Sequence, residues 1–303
     1  MAGREKTRKG AEALRLHELH LMGIGALHSK PDEFDAWRIF GELKALKQKP
    51  PSPKWLEATI ACLVTGRIRP TRAFGLLRQL RDQRTEADQM DKFAAFEGLV
   101  QQCLAPGGLT QHGYDQQTFA QIDHATVWEQ VSHHLGALSD QGYRVFLNSG
   151  TLLGVVRDGK LIDHDDDIDL GIVLRARSSI GAAREWSELQ ERLIALDLFD
   201  PNDQETPEIY RLKPAGNTKI DLFPAWAEKG NFFVYPHTYG DLASSEVLPL
   251  RICERSGHPL PAKPEMMLNV NYGTGWKVPD PLFKFPWNAA NARFAPFLEA
   301  LRT

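Results

Sequence analysis

The sequence predicts an α+β protein: an all-helical N-terminal region followed by a mixed β-sheet domain with flanking helices. Three observations predict it. Apolar residues recur at helical spacing through roughly the first 120 positions. The run Ala105-Pro-Gly-Gly108 and a polar, Gln-rich segment over 109–122 then interrupt that pattern. Beyond residue 123, short β-branched and aromatic runs alternate irregularly with helical stretches, as a sheet with mixed connections requires. The boundary is therefore placed between a helical region over 1–122, with no role assigned, and a sheet domain over 123–303.

Each element has its own signal. Leu14, Leu16, Leu19, Leu21, Met22, Ile24 and Leu27 predict a helix over 11–27, and Phe34, Trp37, Ile39, Phe40 and Leu43 a second. Lys49-Pro-Pro-Ser-Pro-Lys54 ends that stretch. A third helix is expected over about 54–66 (Trp55, Leu56, Ile60, Leu63, Val64), a fourth from Pro70, and a fifth over about 87–104. No signature repeats at a fixed period, so the helix series is not read as a solenoid. A helix over 124–140 ends at Gln141-Gly142, and Tyr143–Leu147 and Ile168–Leu174 read as buried strands. After a helix carrying Trp186, Leu189 and Leu193, further strands are expected at Ile209–Leu212, Lys219–Phe223, Phe232–Tyr235 and Val247–Ile252.

Composition excludes several classes. The chain has 303 residues, 36 Lys plus Arg against 39 Asp plus Glu, and a net charge of −3, which does not fit bulk nucleic-acid binding. Hydrophobic residues at 42% and charged residues at 25% match a globular chain with a sizeable core rather than a fibrous or low-complexity one. Cys62, Cys103 and Cys253 form no C-x-x-C pair, so neither a disulfide framework nor a structural zinc site is indicated, and a reducing compartment fits. The basic N-terminus is followed by no apolar stretch, and no apolar window is long enough to span a membrane. The expected location is cytoplasmic, with peripheral attachment at the inner membrane face compatible.

The chemistry is concentrated between Asn148 and Leu170. Gly150 and Thr151 follow a strand directly, and a small-residue turn there lets backbone N–H groups approach a phosphate. Five aspartates then fall in seven positions: Asp163, Asp165, Asp166, Asp167 and Asp169. Like charges about 5 Å apart repel by roughly 1–3 kcal/mol per pair, a cost that a bound cation removes. Oxygen-rich carboxylate sites select Mg²⁺ or Mn²⁺. An isolated acidic cluster is usually a solvated loop, but this one is interrupted by Ile168 and runs into Leu170-Gly-Ile-Val-Leu174, so it enters a core strand. Asp167 and Asp169 share one face of that strand. Asp221, central in the apolar run Lys219–Phe223, is the candidate third carboxylate. A calcium loop of EF-hand spacing is absent.

The segments Gly150-Thr-Leu-Leu-Gly-Val-Val-Arg157 and Asp165-Asp-Asp-Ile-Asp169 resemble the LicD/fukutin-like phosphotransferase family, whose fold is that of the nucleotidyltransferase-β superfamily. Leu260-Pro-Ala-Lys-Pro-Glu-Met-Met-Leu268 and Tyr272-Gly-Thr-Gly-Trp276 extend the resemblance, which covers about residues 125–285. It implies a nucleotidyltransferase-like sheet domain. It also implies metal-dependent transfer of a phospho-substituent, of phosphocholine or alditol-phosphate type, from a CDP-activated donor to a sugar hydroxyl of a cell-surface glycan or glycolipid. In that reading Asp167, Asp169 and Asp221 are catalytic and hold Mg²⁺ or Mn²⁺. Gly150, Thr151 and Arg157 contact phosphate, and Asp165 and Asp166 assist in substrate binding. No nucleic-acid partner is expected.

One position departs from the family pattern: Asp163-His164 stand where the family has an apolar Pro-Trp pair. That bears on substrate choice rather than on the central aspartates. The alternatives are a nucleotidyltransferase that adds NMP to a small molecule or RNA, and a non-catalytic helical scaffold with a degenerate transferase domain.

Overall fold

The computed structural model describes residues 2–110, 113–114, 118–204 and 206–302. The chain divides into two compact units, Met1–Gln116 and Gln117–Thr303. Of the polar segment 109–122 in which the boundary was expected, residues 111–112 and 115–117 lie outside the described residues.

The first unit is helical: α1 (Ala2–Ser29), α2 (Ala36–Ala45), α3 (Pro53–Thr65), α4 (Pro70–Glu86) and α5 (Met90–Leu104). Its centre is α3, on which α1, α2 and α4 pack. Ser52 caps this helix, its Oγ accepting the Trp55 N–H, and Pro53 occupies the first turn, where a missing N–H costs nothing. Trp55, Leu56, Ile60 and Leu63 are fully buried, and the Trp55 indole donates to the Leu43 carbonyl at 2.6 Å, tying α2 to α3.

The second unit holds a six-stranded mixed sheet with helices around it. In chain order it comprises α6 (His124–Asp140), β1 (Arg144–Leu147), α7 (Ser149–Arg157), β2 (Asp167–Val173), α8 (Ser179–Ala195), β3 (Tyr210–Ala215), β4 (Thr218–Glu228), β5 (Asn231–Val234) and β6 (Thr238–Ala243). Then follow α9 (Ser244–Val247), β7 (Arg251–Ile252), β8 (Pro259–Leu260), α10 (Pro264–Tyr272), α11 (Trp287–Arg293) and α12 (Ala295–Leu301). The sheet order is β1-β2-β4-β5-β6, with β3 also paired to β4. β2 and β4 run parallel and all other pairs are antiparallel. The α+β class and the helical region ahead of the sheet are as the sequence predicts.

Two expectations fail in detail. The run 247–252 is not a strand of the main sheet: Val247 ends α9 and is fully buried, Pro249 breaks the run, and only Arg251–Ile252 pair, as the exposed strand of a two-stranded ribbon with β8. β6 was not expected, because its sequence Thr-Tyr-Gly-Asp-Leu-Ala lacks an apolar alternation and its pairing with β5 shifts register between Phe232 and Phe233.

The aromatic residues after Asp221 belong to the core. Trp226 stacks on Phe233 and Phe297, and Tyr235 packs against Phe294, so α11 and α12 close over β4 and β5. No helix is long and apolar enough to cross a membrane among the described residues.

Candidate active site

The site is built at the start of β2 and the middle of β4. In the parallel register Asp169 lies opposite Asp221, and Asp167 opposite Lys219. Ile168, Leu170, Ile220 and Leu222 are fully buried on the other face, and this packing fixes which way the aspartates point. Ligand oxygens of Asp167, Asp169 and Asp221 all lie within 4.8 Å of one another, and Asp165, Asp166 and Asp167 form a second such group that shares Asp167. The structure therefore brings together the three carboxylates the sequence singled out, from positions separated by about fifty residues in the case of Asp221.

α7 pins this arrangement. It begins two residues after β1 ends, and Asn148 N–H donates to the Asp169 carbonyl at 2.9 Å. Gly150 N–H donates to Asp169 Oδ2 at 2.8 Å, and the Thr151 hydroxyl accepts the Asp169 N–H at 2.8 Å. A Cβ on Gly150 would stand 2.6 Å from Asp165 Oδ2 and 3.3 Å from Asp169 Oδ2, so only glycine leaves room for both carboxylates. Gly154 serves the same helix differently: a Cβ there would meet the Lys160 carbonyl at 2.6 Å, where the acidic loop crosses α7. The task visible for Gly150 and Thr151 is thus to hold Asp169. The Arg157 guanidinium is held bidentately by Asp158, at 2.9 and 2.8 Å. Asp163 pairs with Lys160, and His164 is exposed and outside both ligand groups.

The electrostatics are those of a site charged beyond what the protein alone neutralises. Burial, with Asp167 and Asp221 alongside, pushes the Asp169 carboxyl well above its usual range, against the opposing backbone N–H groups of Gly150 and Thr151. Burial, Asp167 and Asp169 do the same to Asp165. Asp221 is balanced by Arg211, its partner across β3 and β4, whose guanidinium also reaches Asp203 at 2.6 Å. Lys219 pairs with Asp203 at 2.9 Å and Lys213 with Asp197. Closely set carboxylates whose mutual repulsion a cation would relieve offer, once deprotonated, the hard oxygen ligands that Mg²⁺ or Mn²⁺ takes.

Sequence reasoning missed Asn148, Ser149 and His237. His237 sits in the β5–β6 connection, its Nε2 3.1 Å from Ser149 Oγ, and Ser149 Oγ is 3.2 Å from the Tyr272 hydroxyl on α10. These contacts span 88 and 123 residues, so no local pattern announces them.

A family model described as LicD/FKTN/FKRP, nucleotidyltransferase domain, matches residues 142–263. The match contains β1, α7, β2, β4 and the three converging aspartates, and leaves the helical first unit outside. No curated protein matches the chain.

Proposed function

We propose that this chain, whose residues 142–263 match the LicD/FKTN/FKRP nucleotidyltransferase-domain model of a phosphotransferase-type, glycan-modifying family, is a metal-dependent phosphotransferase. It takes a phospho-substituent of phosphocholine or alditol-phosphate type from a CDP-activated donor and places it on a sugar hydroxyl of a cell-surface glycan or glycolipid. The observation that carries the proposal is the convergence of Asp167, Asp169 and Asp221 across the parallel β2–β4 pair.

In the transfer, the acceptor oxygen forms a bond to the donor's distal phosphorus, the bridging P–O bond breaks, and CMP leaves with the bridging oxygen. Asp167, Asp169 and Asp221 would hold Mg²⁺ or Mn²⁺, which when bound neutralises the pyrophosphate and orients its leaving group. The protein's own residues supply the rest. Gly150 N–H and the Thr151 hydroxyl fix Asp169 so that its carboxylate geometry is set before substrate arrives. Asp221 either completes the ligand set or accepts the proton of the attacking hydroxyl, and Arg211 steadies its charge. The location that goes with this reading is the cytoplasm or the inner membrane face.

The test is a thermal-shift screen of the purified chain with Mg²⁺ and CDP, CDP-linked donors, ADP, UDP, ATP and UTP. The proposal expects Mg²⁺-dependent stabilisation by the cytidine diphosphates above all others. A response confined to ATP or UTP favours NMP transfer to another acceptor instead.

A further inference from the structure

Beside the carboxylates runs a chain of neutral polar groups that the reading above leaves without a task. Asn148 is fully buried; its Nδ2 lies 3.4 Å from His237 Nδ1, and its Oδ1 has no hydrogen-bond partner among the described residues. The His237 ring is wedged edge-on between Phe223 and Phe285, at 5.3 and 4.9 Å. Burial drives its pKa down to about 3, so the ring is neutral and carries a single N–H. The proton order that runs toward Tyr272 has the Asn148 amide donating to Nδ1 and the Nε2–H donating to Ser149 Oγ. Ser149 holds its position at φ +42°, in the left-handed region that a serine seldom adopts. Its hydroxyl proton is then directed to the Tyr272 oxygen, 3.2 Å away.

Tyr272 ends this chain with its own O–H still to donate. That hydroxyl makes no other hydrogen bond among the described residues. Burial, with smaller contributions from Asp169, Asp165 and Asp167, raises its pKa, so the phenol stays protonated. α10, which carries Tyr272, packs against α7, so the phenol meets Ser149 one residue before Gly150, whose N–H holds Asp169 Oδ2. The nearby cations Arg211 and Lys219 are already paired with Asp221 and Asp203.

We propose that Tyr272 donates its O–H to a phosphoryl oxygen of the substrate bound at Asp167, Asp169 and Asp221, and that Ser149, His237 and Asn148 position it to do so. The proposal rests on the phosphotransferase reading but not on the cytidine donor. Tyr272 lies beyond the residues matched by the family model.

The experiment is isothermal titration of inorganic pyrophosphate into the full chain in the presence of Mn²⁺, with Mn²⁺ affinity measured separately. Tyr272→Phe is expected to weaken Mn²⁺-dependent pyrophosphate binding about tenfold, the effect of losing one hydrogen bond to a charged group, with Mn²⁺ affinity unchanged. His237→Phe is expected to weaken it in the same direction, and His237→Gln, whose amide can stand in for the Nε2 donor, to restore it. Equal pyrophosphate affinity in Tyr272→Phe, a matching loss of Mn²⁺ affinity, or no pyrophosphate binding by the unaltered protein overturns the proposal. A Tyr272 effect on pyrophosphate without any preference for CDP over ADP supports it while removing the cytidine donor.

Discussion

Asp169 and Asp221 face each other as register partners on the parallel strands β2 and β4, each 8% exposed, with ligand oxygens within 4.8 Å. Two carboxylates in that relationship repel unless a proton or a cation lies between them. Asp169→Asn removes the repulsion and keeps an oxygen to accept the Gly150 N–H. In EDTA at pH 8 the variant should be more stable than the parent by about 1–3 kcal/mol, and Mg²⁺ should no longer raise its unfolding temperature. Thermal unfolding with and without Mg²⁺ checks both; a variant less stable in EDTA would show that the pair is not in conflict.

Two glycines on α7 separate site from scaffold. Gly150→Ala pushes on the far ends of two aspartate side chains, which can swing away, so the fold should survive and divalent-cation affinity should fall. Gly154→Ala meets the Lys160 carbonyl, which belongs to the backbone, and should cost about 1–3 kcal/mol of stability as overpacking does. Denaturant midpoints and Mn²⁺ titrations of the two variants should therefore rank them in opposite orders.

This contrast mirrors what the sequence made legible. Asp169 and Asp221 could be read because each sits between apolar neighbours in a strand, where a bare charge is out of place, and Asp167 because it lies two residues before Asp169 on the same face. α3 and α4 could be read because Ser52-Pro53 and Pro70 mark their starts. The role of Gly150 could not: a turn glycine and a glycine that makes room for two carboxylates look identical until Asp165 and Asp169 are placed over it. His237 and Ser149 were invisible because their meeting depends on the β5–β6 connection and on α7 arriving at one place, 88 residues apart. Val247–Ile252 misled because a buried Val247 and an exposed Ile252 read as one apolar run.

Stability should depend on pH through the same carboxylates. Asp169 and Asp165 have folded-state pKa values raised above their unfolded ones, so between those values the metal-free folded protein binds more protons than the unfolded chain. This contribution is fully present below the unfolded carboxylate range and is lost as pH rises through the raised values. A cation displaces those protons, so stabilisation by Mg²⁺ should grow from pH 5.5 to pH 8. Melting curves at fixed Mg²⁺ across that range measure it, and a stabilisation independent of pH would contradict it.

His237 acts with the opposite sign. Its folded-state pKa is depressed to about 3 by burial, so its contribution is present above the unfolded histidine value and lost as pH falls toward 3. Relative to His237→Gln, the parent protein should lose up to roughly 1.4 kcal/mol per pH unit below about pH 6.5. Parallel pH–stability curves for the two proteins would contradict this assignment.

The central claim, that Asp167, Asp169 and Asp221 together hold a divalent cation, is tested most directly by calorimetric titration of Mn²⁺ into the unaltered protein, Asp167→Asn and Asp169→Asn at pH 8. The account predicts saturable binding to the unaltered protein and a loss of about tenfold or more in each variant, as for a charged ligand removed from a buried site. Mn²⁺ binding of equal affinity in all three proteins, or none in the unaltered one, would contradict it.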